Sequence, residues 1–247
     1  MIPRKRLDVL LVERGLFATR AKAQAALMAG KVEVEGRPNP KPGDPAREDL
    51  KVRVLEDAVP FVSRGGLKLQ AALDEFKIKP EGRTALDVGA STGGFTDCLL
   101  QRKAAKVYAV DVGHGQLDVS LRTDPRVVNL ERTHAGRMEP GLFGPPQERP
   151  DLAVADVSFI SLTKVLPAII ACLKQPFEIA ALIKPQFELE PKKVPKGVVK
   201  KEEFRQEAVN KVSAFAKERG LIERGLIESP IHGPKGNVEF LIFWTSV

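Results

Sequence analysis

Four charged residues stand where solvation alone does not explain them. Asp156 closes the apolar run 152–155, Lys184 closes 179–183, Glu239 lies between Val238 and Phe240, and Lys68 opens a helical run ahead of the first long apolar segment. A charge inside an apolar strand is expensive unless it is paired. Two lysines and two carboxylates meeting in one cleft would neutralise one another and could manage the proton of a hydroxyl group. Taken singly, each reads equally well as an edge or surface salt bridge. Four at the ends of successive apolar runs are harder to dismiss.

A second group surrounds the turn Asp87-Val88-Gly89-Ala90-Ser91-Thr92-Gly93-Gly94. An apolar run enters it and a helical pattern leaves it, the form of a nucleotide-cradling first βα unit. Small residues let a ligand approach the backbone, and the helix start offers free N–H groups. The spacing does not fit G-x-G-x-x-G, which argues against a dinucleotide. Asp87-x-Gly89-x-x-x-Gly93 is the form usual in S-adenosylmethionine enzymes. On that reading Asp87 orders the ammonium of the ligand, and Gly89, Ser91 and Gly93 floor the site. Asp111, at the end of the next strand, accepts from the ribose hydroxyls, while Glu131, Arg132 and Thr133 flank the adenine. Gly89 to Gly93 also matches G-x-S-x-G, a nucleophile elbow, with His232 as a formal partner. That elbow normally follows several strands; here one precedes it, and Asp111 is left without a task. A tight turn with no ligand is the remaining alternative.

With a methyl donor in place, the chemistry asked of Lys68, Asp156, Lys184 and Glu239 is transfer to an alcohol. Lys184 could accept the hydroxyl proton. Burial and the charge of Lys68 favour that role, whereas Asp156 and Glu239 oppose it, so the sign stays open. The alternative is steering, in which the ammonium holds the oxygen in line and proximity does most of the work.

These residues need a scaffold that brings strand ends together. Strands are expected at 107–111, 127–130, 152–156, 179–184, 221–229 and 238–245, with helices at 68–76, 162–173 and 202–219. Alternating strands and helices indicate an α/β, doubly wound, mostly parallel Rossmann-like sheet. The last two strands lack an intervening helix and should form an edge hairpin. The Lys- and Pro-rich stretch 188–201 reads as a mobile loop. Ahead of this domain lies a small α+β unit: helices within 4–14 and 20–29, the latter capped by Thr19, and a strand pair 31–36 with 52–54. Its basic residues, among them Arg4, Arg6, Arg20, Lys22 and Lys31, suit a phosphate backbone. The expected boundaries are 1–57 for this unit, 58–62 for a linker and 63–247 for the larger domain.

The 247 residues carry a net charge of +7, which favours a polyanionic partner. Cys98 and Cys172 lie in apolar, helix-like context and read as buried thiols rather than a disulfide or metal site. The start Met1 to Arg6 lacks the apolar run of a signal peptide, and no segment is long enough to span a bilayer. A cytoplasmic protein is expected, with no metal and no obligate protein partner.

Two resemblances sharpen this reading. Arg6-Leu7-Asp8, Arg14-Gly15-Leu16, Thr19-Arg20 and Gly30-Lys31-Val32 resemble the S-four-type RNA-binding domain. Ser63-Arg64-Gly65-Gly66-x-Lys68-Leu69, the turn 87–96, Gly113-His114-Gly115-Gln116-Leu117, Asp156-Val157-Ser158-Phe159-Ile160-Ser161, Lys184-Pro185-Gln186-Phe187-Glu188 and the stretch 233–240 resemble the TlyA family. That family joins an S-four-type domain to an FtsJ-like methyltransferase domain. The resemblance implies 2′-O-methylation of ribosomal RNA, typically at cytidine, by a Lys-Asp-Lys-Glu tetrad that falls on Lys68, Asp156, Lys184 and Glu239. It also places Arg20, Lys22 and the surroundings of Lys31 toward RNA. Family members are often labelled haemolysins, so a membrane-active lysin is one alternative and a non-catalytic RNA-binding protein another. His134 departs from the family's usual Asn, and 191–201 is richer in lysine.

Overall fold

The computed structural model describes residues 4–17, 20–28, 30–37, 40–54, 60–233 and 235–246, with Arg4 described through its backbone alone. The chain divides into two compact units, Met1–Ala58 and Val59–Val247.

The first unit runs β1 (Arg4–Arg6), α1 (Leu7–Glu13), α2 (Arg20–Met28), β2 (Val32–Val34), β3 (Pro45–Arg47) and β4 (Val52–Val54). Leu7, Leu10 and Leu11 recur at helical spacing and are buried with Ala23, Leu27, Val32 and Val34. Gly15 and Gly30 end the two helices in left-handed conformation, where a glycine carries no steric penalty. Strands β2 and β4 pair, as expected, and run antiparallel. The Thr19 cap and residues 58 and 59 of the expected linker lie outside the described residues. A second pair, β1 with β3, was not anticipated; residues 4–6 form a strand and the helix begins only at Leu7. Asp8 is buried at the start of α1 and accepts from Arg6 Nε and Nη2 at 3.1 and 3.0 Å, Arg20 Nε at 2.9 Å and Gln24 Nε2 at 2.6 Å.

The second unit runs α3 (Gly65–Glu75), β5 (Thr84–Val88), α4 (Gly94–Gln101), β6 (Lys106–Val110), α5 (Val119–Arg122), β7 (Val127–Leu130), β8 (Leu152–Ala155), α6 (Leu162–Cys172), β9 (Glu178–Ile183), α7 (Pro185–Glu188), α8 (Glu202–Glu218), β10 (Ile222–Glu228) and β11 (Phe240–Thr245). Its sheet has the order β10-β11-β9-β8-β5-β6-β7. Strands β5 to β9 are parallel, and β11 runs antiparallel between β9 and β10. The central strands are apolar on both faces because helices cover both. Leu86, Val110, Ala155 and Ile183 face a cluster with residues of α6 and α8; Ala85, Val107, Val154 and Ala180 face one with residues of α3 and α4. Cys98 and Cys172 are buried thiols within these layers, pushed by burial up to about 12 and about 11.

Three expectations need correction here. Glu239 precedes β11 rather than lying inside it. Phe61, placed in the linker, is buried against α3, where a Cβ on Gly66 would stand 2.3 Å from the Phe61 ring. The stretch 188–201 is tied down rather than loose: Val199 is buried and donates its N–H to Asn237 Oδ1, Asn237 Nδ2 donates to the Gly197 carbonyl, and Lys193 pairs with Glu207. Its lysines and prolines suggest a solvated loop, yet its backbone is satisfied by a buried asparagine from a distant turn.

The Arg6 contact, with Gln24 and Arg20, holds the Asp8 carboxyl well below the usual carboxylate range. Replacing it by Asp8→Asn removes the charge that gathers these donors. Amide exchange across residues 7–13 and 20–28 should then accelerate about 10- to 100-fold at neutral pH, while β5 to β9 exchange as in the wild type. Unchanged exchange in the two helices would contradict the organising role given to Asp8.

Candidate active site

The C-terminal ends of β8 and β9, the entry to β11 and the first turn of α3 meet at one edge of the sheet, where open α/β sheets hold their ligands. Lys68 Nζ donates to Glu239 Oε2 at 2.6 Å, and Gln186 Nε2 donates to Glu239 Oε1 at 3.2 Å. Lys184 Nζ donates to Ser158 Oγ at 2.8 Å and lies 2.5 Å from Asp156 Oδ1, an ion pair whose angle falls outside hydrogen-bond geometry. Glu239 is nearly dry at 1% side-chain exposure, Lys68 and Lys184 at 10%. All four line one cleft of about 440 Å³, together with Ser63, Arg64, Gly89, Ser91 and His232. The four residues singled out in the sequence are therefore brought together, as two ion pairs.

A larger cleft of about 1190 Å³ opens beside it and shares Gly89, Ser91, Asp156 and Ser158 with it. Asp111 stands in its wall. Its Oδ2 accepts Ser91 N–H at 2.8 Å and its Oδ1 accepts Gly113 N–H at 2.7 Å, which fixes the carboxylate at the mouth of the turn. Gly89 has a positive φ, and a Cβ there would stand 2.6 Å from the Asp156 carbonyl oxygen; only glycine lets β5 and β8 close up at this point. Thr133 also lines the cleft, and its N–H donates to the Asp111 carbonyl.

Four residues expected at the cofactor lie outside the lining of both clefts. Asp87 is fully buried inside β5, outside the lining of either cleft, and accepts from Thr96 Oγ1 at 2.7 Å; its Oδ1 has no partner. Gly93 is required by packing, since a Cβ would stand 2.2 Å from Leu121 Cδ1 and 2.8 Å from Leu117 Cδ1. Glu131 accepts from His114 Nδ1 at 2.8 Å and Gly115 N–H at 2.9 Å. The Gly115 N–H, with Asn129 and His114, holds its carboxyl down at about 2. Glu131 thus anchors the loop 113–115. Arg132 is exposed and outside the cleft lining.

The residue pattern left Ser158, Gln186 and the pair Phe159–Phe187 without roles. Phe159 is 91% exposed, has a positive φ of 63° and lies 5.1 Å from Phe187 between ring centroids. Both line the larger cleft. A bulky residue held left-handed and in water is uncommon and marks a candidate contact. The signal was present, since both aromatics directly adjoin strand-end motifs.

In the first unit, Arg6 and Arg20 are held by Asp8 yet keep half of their side chains exposed, at 50% and 53%. Lys22 is exposed and Lys31 half-buried. The side chain of Arg4 lies outside the described residues.

The chain matches the model of the FtsJ-like methyltransferase family over residues 61–245 and that of the S4 domain over residues 5–52. It is 46% identical to the 16S/23S rRNA (cytidine-2′-O)-methyltransferase TlyA of Mycobacterium tuberculosis, over 98% of this chain and 90% of that one. It is 41% identical to Hemolysin A of Brachyspira hyodysenteriae, over 96% and 98%. Among solved structures, a candidate hemolysin from Streptococcus thermophilus superposes with a TM-score of 0.79 at 40% identity, over 100% of this chain and 90% of that one. No helix among the described residues is long and apolar enough to cross a membrane.

Burial, offset in part by Thr96, pushes the Asp87 carboxyl up to about 7. In the unfolded chain it titrates near about 3.9. Between those values the folded protein keeps a proton that the unfolded chain has released, so stability falls as pH rises through this window. In Asp87→Asn that contribution is gone, and the oxygen accepting from Thr96 remains. Chemical denaturation from pH 4 to 8 should show a smaller loss of stability with rising pH in the variant; identical pH slopes would refute the assignment.

Proposed function

The chain belongs to the FtsJ-like methyltransferase family, in its TlyA branch, and from that premise we propose that it transfers a methyl group from S-adenosylmethionine to a ribose 2′-hydroxyl of ribosomal RNA, at cytidine. The observation that carries this reading is the convergence of Lys68–Glu239 and Lys184–Asp156 on one cleft beside the turn anchored by Asp111.

The residues present fit such a donor. Asp111 is pinned by two backbone N–H groups and keeps acceptor capacity for a ribose diol. Gly89 keeps the turn free of a side chain where the two clefts join. When bound, that cofactor supplies an electrophilic methyl group on sulfur. Asp111 and Thr133 hold the nucleoside end. Ser91 and Ser158 stand where both clefts meet, the place at which acceptor and donor must touch.

Lys184 is held by the Asp156 carboxylate and the Ser158 hydroxyl at the lining of the smaller cleft. We assign it to hold the 2′-oxygen in line and to stabilise charge there as the methyl–sulfur bond breaks, the sulfur leaves as a neutral thioether and the hydroxyl proton passes to bulk water. Lys68, fixed by Glu239, adds a second cation to the same cleft, and Gln186 fixes Glu239 in turn. Phe159 and Phe187 offer an aromatic surface on which a base can stack. Arg6, Arg20, Lys22 and Lys31 present a basic surface suited to RNA phosphates, and Arg4 lies in the same unit. An rRNA substrate supports a cytoplasmic setting.

Labelled methyl transfer to ribosomal RNA or isolated subunits, followed by mapping of the 2′-O-methyl position, tests the reading; absence of transfer to any ribosomal RNA would refute it. Lys184→Ala should lower kcat about 100- to 10,000-fold with the fold retained by circular dichroism. Phe159→Ala should weaken RNA binding about 5- to 100-fold while single-turnover transfer at saturating RNA stays near that of the wild type.

A further inference from the structure

Glu188 is a buried carboxylate that the reaction as described does not use. It ends α7, the short helix that begins directly after Lys184. Its Oε1 accepts Leu162 N–H at 2.7 Å and its Oε2 accepts Ser161 Oγ at 2.5 Å. Ser161 and Leu162 begin α6 and end the loop that starts at Asp156. Lys211 of α8 approaches from outside, donating to the Glu188 carbonyl at 2.5 Å, with its Nζ 3.7 Å from Oε2.

The same two segments are thus stitched together twice. At the smaller cleft the stitch is Lys184 to Asp156 and Ser158; in the wall of the larger cleft the stitch is Glu188 to Ser161 and Leu162. Between the stitches Phe159 packs on Phe187. A helix cap needs only a hydroxyl at Ser161, and Ser161 already supplies one to Thr163 N–H at 3.3 Å. The carboxylate, buried at 5% exposure, does more than close a helix: it sets the distance between the loop after β8 and the chain after β9.

We propose that Glu188 is a positioning residue for the reaction, one that fixes Ser158 and Asp156 opposite the Lys184 ammonium. This rests on the methyltransferase reading above. Charge-assisted hydrogen bonds at both carboxylate oxygens hold the two segments within the tolerance that in-line transfer requires. Losing them lets the Asp156–Ser161 loop drift from Lys184 while the sheet beneath stays intact.

The test compares Glu188→Gln with wild-type enzyme in steady-state transfer, and follows the side-chain nitrogen of Lys184 by NMR on lysine-labelled protein. The Lys184 resonance is assigned by its absence in Lys184→Ala. Glu188→Gln should lower kcat about 10- to 100-fold, leave the KM for RNA within about twofold, and shift or broaden the Lys184 resonance. Combined with Ser158→Ala, its effect on kcat should fall well short of the product of the two single losses, because both act on the same lysine. Should Glu188→Gln prove too unstable, Ser161→Ala, which keeps the Leu162 contact, should give the same pattern about 3- to 10-fold in kcat. An unchanged kcat and Lys184 resonance, with faster exchange at Leu162 alone, would reduce Glu188 to a helix cap and overturn the proposal. An inactive wild type would overturn the functional reading instead, and the lysine resonance would still decide whether Glu188 positions it.

Discussion

The Lys68–Glu239 ion pair joins residues 171 positions apart in the chain, with Glu239 almost without solvent. Removing two charges from water costs several kcal/mol per ion, and their attraction offsets this only with good geometry and further hydrogen bonds. Both conditions are met: the contact is short, and the second Glu239 oxygen accepts from Gln186. The pair therefore constrains three elements at once. It fixes α3 against the entry to β11, and through Gln186 it fixes the chain leaving β9. The cleft exists because these elements cannot separate without exposing an unpaired buried carboxylate. Lys184 and Asp156 repeat the arrangement one strand over, so the site is built from charge pairs that the surrounding sheet makes dry.

The sheet itself was readable because its signals are local. Apolar runs bounded by helical periods identify β5 to β9, and the absence of a helix between the last two strands identifies the hairpin. Lys184 and Asp156 were readable because a charge at the end of an apolar run is conspicuous. What was lost depended on contacts far along the chain. The pairing of Arg4–Arg6 with Pro45–Arg47 is three residues long and charged, with no periodicity to betray it. The stretch 188–201 looked solvated because its anchors, Asn237 and Glu207, are distant in sequence.

The turn shows a subtler limit. Its composition announces a ligand site, yet Asp87, Gly93 and Glu131, three of the eight residues named for that site, make scaffold contacts outside the lining of either cleft. Asp87 and Gly93 lie in the same few residues as Gly89 and Ser91, but Asp87 is still inside β5, Gly93 already caps α4, and only Gly89 and Ser91 lie in the turn between them. Asp87 faces inward to Thr96 of α4, and Gly93 makes room for Leu117 and Leu121. Glu131 and Arg132 follow β7, where proximity in sequence to Thr133 does not carry proximity to the cleft. A motif localises a site to a turn; where the strand ends and what packs behind it decide which of its atoms line the cleft.

The two units share one physical device. In each, a carboxylate gathers long cationic side chains: Asp8 holds Arg6 and Arg20, which stay half exposed, while Glu239 holds Lys68 and Asp156 holds Lys184, which are buried at the lining of the smaller cleft. A free lysine or arginine carries about 2 kcal/mol of rotamer entropy, much of it lost when the side chain is fixed on a ligand. Anchoring one face of the cation on a carboxylate incurs that loss during folding, before any RNA arrives. The residual positive charge, now held in place, meets a polyanion with less left to order. The carboxylates also explain how a chain with a strong basic excess can place cations close together without mutual repulsion melting the surface that holds them. On the proposed reading, acidic residues at the centre of basic sites belong to the binding apparatus, and removing one should loosen the cations around it even though it removes a charge that repels the substrate.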